Sequence, residues 1–237
     1  MGRTGKPTWV ARLRRRLLKL LFLGILLVLV LSMLEVLLIR FVNPPFTAYM
    51  AWRHVKSLVS SDPPVRLRQE WKELETISPY LRQAVLAGED QRFLSHRGFD
   101  FVELENAVKD ALHAGRVRGA STITMQTART VFLWPDRTWL RKALEAYYTL
   151  LVELFWDKRR ILEVYLNTVD WGTGLMGAEA ACRNYFGIGA EDVTRTQAAL
   201  LAAILPNPHR WSPVHPGPRV RGRQGRILRD MPKMPEV

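Results

Sequence analysis

The sequence predicts a mainly α-helical domain preceded by one membrane-spanning helix. Three observations carry that expectation. One long apolar run lies near the N-terminus, helical spacing with capping signals dominates from Ser78 onward, and no run of alternating strand-like segments occurs. At 237 residues the chain has room for one domain of ordinary size plus an appendage.

The appendage comes first. From Leu17 to Ile39 the chain reads LLKLLFLGILLVLVLSMLEVLLI, apolar except for Lys19, Ser32 and Glu35. As a helix, that is long enough to cross a hydrocarbon core of roughly 30 Å. Glu35 lies near the C-terminal end, where it can reach the interface or a partner. A cleaved signal peptide would have a shorter apolar core, about 7–15 residues, and a small-residue cleavage site. Here the run is longer and RFVNPPFTAYM follows it with no A-x-A pattern. The expectation is an uncleaved anchor over residues 17–41.

Charge sets its orientation. Arg3, Lys6, Arg12, Arg14, Arg15, Arg16 and Lys19 stand at the start with no acid among them. The positive-inside rule keeps residues 1–16 in the cytoplasm and places everything after about residue 42 outside it. Taking these seven charges from the net +13 leaves +6 for residues 20–237. A moderately basic domain beside a membrane can meet anionic lipid heads, a phosphate-bearing substrate or nucleic acid, and export argues against nucleic acid. Cys182 is alone, which forbids an intrachain disulfide and leaves the core to hold by packing.

Residues 42–77 read as a membrane-proximal linker. The proline pairs of VNPPF and SDPPVR interrupt helix, and AYMAWRHVKSLV between them fits one amphipathic helix against the bilayer or the domain. Residues 78–231 form the main domain. Ser78 before Pro79 opens the first helix, YLRQAVLAG. Asp100 caps a second, whose face is Val102, Leu104, Ala107, Val108, Ala111 and Leu112 and which Gly115 stops. Thr138 caps a long helix with Leu140, Leu144, Tyr147, Leu151 and Leu154 on one side, and Asp157 opens KRRILEVYLN. Thr194 and Gln197 form a capping box ahead of AALLAAIL, which Pro206 and Pro208 end. The arginine-rich end holds one short helix, QGRILRDM, and a tail over 232–237, read as solvated or in contact with anionic lipid heads.

Common catalytic signatures are missing: no HExxH, P-loop, GxSxG or CxxC, and five scattered histidines without metal-ligand spacing. What remains is a set of acids and bases. In AGEDQRFLSHRGFD, Glu89 and Asp90 read equally as a catalytic carboxylate with its neighbour or as a helix end and its turn. Arg141, Lys142 and Glu145 share one side of the long helix, turned away from the Leu140–Leu144–Leu151 stripe that reads as core, and spacing alone makes them an exposed salt-bridged face. GASTITMQTART stacks Ser121, Thr122, Thr124, Thr127 and Gln126 behind a glycine and ahead of Arg129. Such a segment suits oxyanion or phosphate recognition, or is an ordinary capped polar helix. NTVDWGTGLMGAEAACRNYFG reads as a close-packed loop feeding a helix, not a dinucleotide site.

Taken together and in order, these pieces resemble the peptidoglycan glycosyltransferases of glycosyltransferase family 51, and most closely their stand-alone, monofunctional biosynthetic members. The matching segments are EDQRFLSHRGFD, GASTITMQTARTVFL, RKALEA, KRRILEVYLN, the glycine loop running into YFG, ALLAAILPNP and the anchor exit RFVNPPFTAYM. They span roughly residues 40–230 and leave no room for a transpeptidase domain. The resemblance implies a lysozyme-like helical glycosyltransferase domain that polymerises lipid II into β-1,4-linked glycan strands and releases undecaprenyl diphosphate. Glu89 then matches the general base that takes the proton of the acceptor sugar's 4-hydroxyl. Asp90, Phe93, His96 and Gly98 fill the other fixed places of that motif. Glu145 matches the second acid, near the donor diphosphate, while Ser121, Thr122, Gln126, Arg141 and Lys142 fall in motifs lining the diphosphate and sugar sites. Glu163 matches a motif acid with a structural role.

The chain departs from the family pattern at Ala120, at Met125 beside Gln126, and at Arg129, which stands where a lysine is common and trades a compact ammonium for a planar fork. No organic cofactor is implied, and the resemblance admits a divalent cation, magnesium or manganese, at the diphosphate. Expected partners are lipid II, the growing glycan strand and membrane lipid, with room for cell-wall synthesis and division proteins. The expected location is the bacterial inner membrane, with a single pass and the catalytic domain outside the cytoplasm. Two other readings stand beside this one: a lysozyme-like lytic hydrolase with water as acceptor, and an anchored scaffold that has lost activity.

Overall fold

The computed structural model describes residues 9–59, 66–114, 119–136 and 138–237. Helix α1 (Trp9–Phe41) forms one unit, and the chain from Asn43 to Val237 forms a second.

Helix α1 rises about 50 Å over its 33 residues, more than a hydrocarbon core requires, and is long and apolar enough to cross a membrane. It begins ahead of Leu17 because Arg12 to Arg16 are good helix formers and nothing before the apolar run breaks the turn. Leu17, Leu20, Phe22, Val28 and Leu38 are exposed on different sides, the pattern of a helix that is hydrophobic all round.

The second unit is mainly α. It runs through α2 (Ala48–Val59), α3 (Pro79–Glu89), α4 (Phe101–Ala114), α5 (Ile123–Phe132), α6 (Trp139–Phe155) and α7 (Lys158–Thr168). A small antiparallel hairpin follows, β1 (Asp170–Gly172) with β2 (Leu175–Met176), and then α8 (Ala178–Phe186), α9 (Arg195–Ile204) and α10 (Pro218–Asp230). Helix α2 is the expected AYMAWRHVKSLV segment; the proline pair of SDPPVR and Gly115 lie outside the described residues. Thr138, Asp157 and Asp100 cap their helices through side-chain oxygens, and Thr194 with Gln197 forms the capping box. Ser78 differs. Its hydroxyl donates to Val193 O at 2.9 Å instead of capping α3, tying the helix start to the loop before α9.

Two helical packages position the site. Helix α3 packs on α9 and α10, while α5 packs on α6 and α7. Leu81, Val85 and Leu86 of α3 and Leu201 and Ala202 of α9 are fully buried in the first; Ile123, Ile161, Leu162 and Leu166 in the second. At the end of α3, Gly88 allows close approach: a methyl there would stand 3.2 Å from Ile227 Cδ1 and 3.7 Å from Ala202 Cβ. Asn167, fully buried, donates to Lys72 O and Glu163 O and accepts from Lys72 N, each at 2.8 Å, so α7 holds the strand-like segment that leads into the domain.

Three expectations are corrected. The leucine stripe of α6 is not core: Leu140 and Leu154 are exposed, Leu144, Tyr147 and Leu151 are only half-buried, and the buried face is Arg141, Glu145, Thr149 and Val152. Pairing makes that burial tolerable, because Glu145 is matched by two cations. The apolar face of α4 also points outward, with Val102, Leu104, Val108 and Leu112 exposed and only Ala107 buried. Finally, the basic segment near the C-terminus is a packed helix longer than QGRILRDM. Val220, Ile227 and Met231 are buried under its arginines.

Candidate active site

Helix α3 delivers Glu89 as its last residue, and the chain then turns at Asp90. Glu89 stands at the wall of a cavity of about 520 Å³, shared with Gln126, Ser121, Thr122, Pro206 and Arg223. Both its carboxylate oxygens are held. Gln126 Nε2 donates to Oε2 at 3.0 Å, and an Arg223 Nη2 N–H donates to Oε1 at 2.7 Å. Behind Gln126, the hydroxyl of buried Tyr165 donates to its Oε1 at 3.4 Å. Burial raises the pKa of Glu89 above the ordinary carboxylate range; Arg223, Gln126 and Arg129 oppose that rise without cancelling it. A carboxylate held in this way can accept a proton.

Asp90 and His96 close the turn. His96 Nε2 lies 3.0 and 3.1 Å from the two Asp90 oxygens, and Asp90 Oδ2 also accepts from Ile123 N at 3.0 Å. Asp90 therefore joins the end of α3 to the first turn of α5, where a negative charge suits the helix N-terminus. Phe93 is buried, packs edge-on to His96 and carries the Lys158 ammonium 4.6 Å over its ring. Phe93 and His96 thus support the turn from beneath and are absent from the cavity wall.

The hydroxyl-rich segment divides by role. Thr122 caps α5, accepting from Met125 N, and donates to Gly98 O at 2.6 Å. Thr124 donates to Glu153, and Thr127 to Ile123 O. Their hydroxyls are spent within the fold, while Gly119, Ala120 and Ser121 line the cavity. Arg129, one turn after Gln126 on α5, is near enough to act electrostatically on both Glu89 and Tyr165.

Glu145 is set apart from these residues. Buried on α6, it forms ion pairs with Arg141, also buried, and with half-exposed Lys142. None of the three lines the cavity of Glu89. Two cations against one acid leave a net positive charge on that face of α6. Glu163, on α7, accepts from Leu74 N at 3.3 Å and pairs with Arg160, tying α7 to the preceding segment.

Sequence reasoning misses Arg223, which lies in the arginine-rich end that it reads as solvated or lipid-facing. The signal was present in the spacing of Val220, Ile227 and Met231, which gives α10 a buried face and so brings Arg223 inward.

Among the described residues, two groups of acidic and histidine side chains lie close enough together to share a cation: Asp90, His96 and Asp100, and Glu73, Glu75 and Glu163. In the first, Asp90 is engaged by His96 and Ile123 N, and Asp100 by Glu103 N and Arg92. In the second, Glu75 pairs with Arg159 and Glu163 with Arg160. In each set, cations and N–H groups of the fold itself already engage at least two of the three side chains.

Residues 57–232 match the family model described as Transglycosylase. The chain belongs to the transglycosylase family. It is 48% identical over 228 residues to the biosynthetic peptidoglycan transglycosylase of Pseudomonas putida (strain GB-1), covering 96% of this chain and 93% of that one. It is 46% identical over 217 residues to the protein of the same name from Pseudomonas aeruginosa (strain PAO1), covering 92% and 93%. The Pseudomonas putida (strain W619) protein of that name is 50% identical over 203 residues, 86% of each chain. The match to the family runs through α3, α5, α6, α7 and α10, so it includes every side chain that holds Glu89.

Proposed function

We propose that the protein is a peptidoglycan glycosyltransferase of bacterial cell-wall biosynthesis that polymerises lipid II into β-1,4-linked glycan strands and releases undecaprenyl diphosphate. Family membership supports the activity. The observation that carries the mechanism is Glu89, a carboxylate in a cavity with its pKa raised by burial and both oxygens oriented by donors.

In this reading Glu89 accepts the proton of the acceptor's 4-hydroxyl, and that oxygen forms a bond to the anomeric carbon of the donor. The bond from that carbon to the lipid diphosphate breaks, and its electron pair leaves with the diphosphate. In-line attack turns the donor's α-linkage into β. Arg129, Arg141 and Lys142 stabilise the charge that grows on the departing group, with Glu145 orienting the last two. A carboxylate oxygen keeps a second acceptor direction while one donor holds it, so the hydrogen bonds to Glu89 leave room for the proton. A divalent cation at the departing diphosphate, magnesium or manganese, would add to the charge that Arg129, Arg141 and Lys142 supply.

Helix α1 serves as a single-pass anchor in the inner membrane, with the N-terminus in the cytoplasm and the catalytic unit outside it. This keeps the enzyme beside a polyprenyl-linked substrate. The exposed apolar faces of α4 and α6, including Phe101, Leu112, Trp139 and Leu154, suit contact with membrane lipid.

The hydrolase alternative would use water as acceptor and has no need of the cations on α6. Incubating the purified full chain with lipid II decides between them. Long glycan strands support transfer; cleavage of finished sacculi without polymerisation sinks it. Glu89→Gln should abolish polymerisation while the protein stays folded, and an active variant would overturn the assignment of the base.

A further inference from the structure

The C-terminal helix reaches into the chemistry from a direction that the motif residues do not share. Arg223 Nη2 donates to Gly88 O at 2.8 Å as well as to Glu89 Oε1 at 2.7 Å, so one group fastens both the last turn of α3 and its terminal carboxylate. The seat is built. Ile227, one turn after Arg223 on α10, packs closely on Gly88, where a methyl would stand 3.2 Å from its Cδ1, and Val220 and Met231 anchor the helix on either side. The Arg223 side chain is 22% exposed and that of Glu89 12%, which leaves the pair little screened by water.

We infer that Arg223 is a positioning residue for the transfer reaction, holding the Glu89 carboxylate charged and aimed into the cavity so that seating of α10 is coupled to deprotonation of the acceptor. The inference rests on Glu89 being the base, as proposed above.

The groups around Glu89 show why Arg223 matters. Arg129 faces it from α5, Tyr165 from α7, and Asp90 is its chain neighbour; Arg92, Asp100 and Glu103 line the same cavity. Gln126 is a neutral donor. Without Arg223, the neutral donor Gln126 and the more distant charge of Arg129 are left to oppose burial.

The test is the pH dependence of kcat/KM for lipid II polymerisation by the full chain in detergent, for wild type, Arg223→Lys and Arg223→Gln. Gln keeps a donor and loses the charge, so the acid limb moves up by roughly one pH unit or more. Lys keeps a charge on a shorter reach, so its limb lies between the other two. At the pH where wild type is most active, kcat falls in the same order while KM stays within about twofold, since a group acting through the base changes the chemical step. Loss of kcat with the acid limb unmoved in both variants overturns the inference and leaves Arg223 a structural tie. If Arg223→Gln shows no thermal unfolding transition, Arg223→Lys decides alone: a displaced limb supports the inference and an unmoved one overturns it. An active Glu89→Gln enzyme means that the reading of the base has failed. An inactive Glu89→Gln with unmoved Arg223 limbs means that only the role of Arg223 has failed.

Discussion

Glu145 and Leu140 stand on the same helix with inverted burial: the acid is 1% exposed and the leucine 66%. A charge is tolerated inside because Arg141 and Lys142 both pair with it, and Thr149 Oγ1 donates to its carbonyl at 2.6 Å, which steadies the turn beneath it. Removing the acid leaves Arg141 buried without its counter-charge. Glu145→Leu is expected to destabilise the domain by about 3 kcal/mol and to abolish polymerisation. Equilibrium denaturant unfolding in detergent measures the first, and strand formation from lipid II the second.

The exposed leucines yield the opposite expectation. Leu150→Ser combined with Leu154→Ser removes apolar surface that is mostly exposed, so the change in unfolding free energy should stay within about 0.5 kcal/mol. If these side chains rest in lipid, turnover in proteoliposomes falls while turnover in detergent is kept. Equal turnover in both media would mean that this face does not touch the bilayer.

Much of the fold could be read from the sequence, because local chemistry decides it. Asp157, Thr138 and the Thr194–Gln197 box each cap the helix that their spacing predicts, and the apolar run that becomes α1 needs no tertiary context. Facing was harder to read. Helical periodicity tells which residues of α4 and α6 share a side, but beside a membrane the apolar side need not be the protein core. The site was legible only through the order of several motifs. Nothing local joins Arg223 to Glu89 across 134 positions of chain, and nothing in EDQRFLSH shows that Asp90 would be engaged by a backbone N–H of α5.

Gly98 gives a sharp test of how the turn after Glu89 is seated. Its φ is +85°, a region that favours glycine, and a methyl there would stand 2.7 Å from Thr149 Cγ2, one turn beyond Glu145. The Gly98 carbonyl also accepts the Thr122 hydroxyl. Gly98→Ala must therefore push the turn off α6 and disturb the cap of α5. A loss of roughly 2–3 kcal/mol is expected from backbone strain and the displaced contact together, with a drop in kcat exceeding any change in KM. A variant of wild-type stability and activity would show that the turn is free to move.

Activity and stability should respond to pH in opposite directions through Glu89. Burial raises its folded-state pKa above the value it has when unfolded. Below the unfolded value the carboxyl is protonated in both states, and its favourable contribution to folding is fully present. As pH rises through the folded value, the unfolded chain gives up the proton more readily, and that contribution is lost. A general base works only when ionised, so turnover climbs across the same window. Glu163 is raised in the same direction and Glu75 and Asp230 are lowered, which makes the wild-type curve a composite. The difference between wild type and Glu89→Gln isolates the one group. Their Tm values, followed from about pH 4 to pH 8, should diverge in favour of the glutamine variant as pH rises. Parallel Tm curves would mean that the folded and unfolded pKa of Glu89 are equal, and an acid limb of activity above the ordinary carboxylate range would then belong to another group.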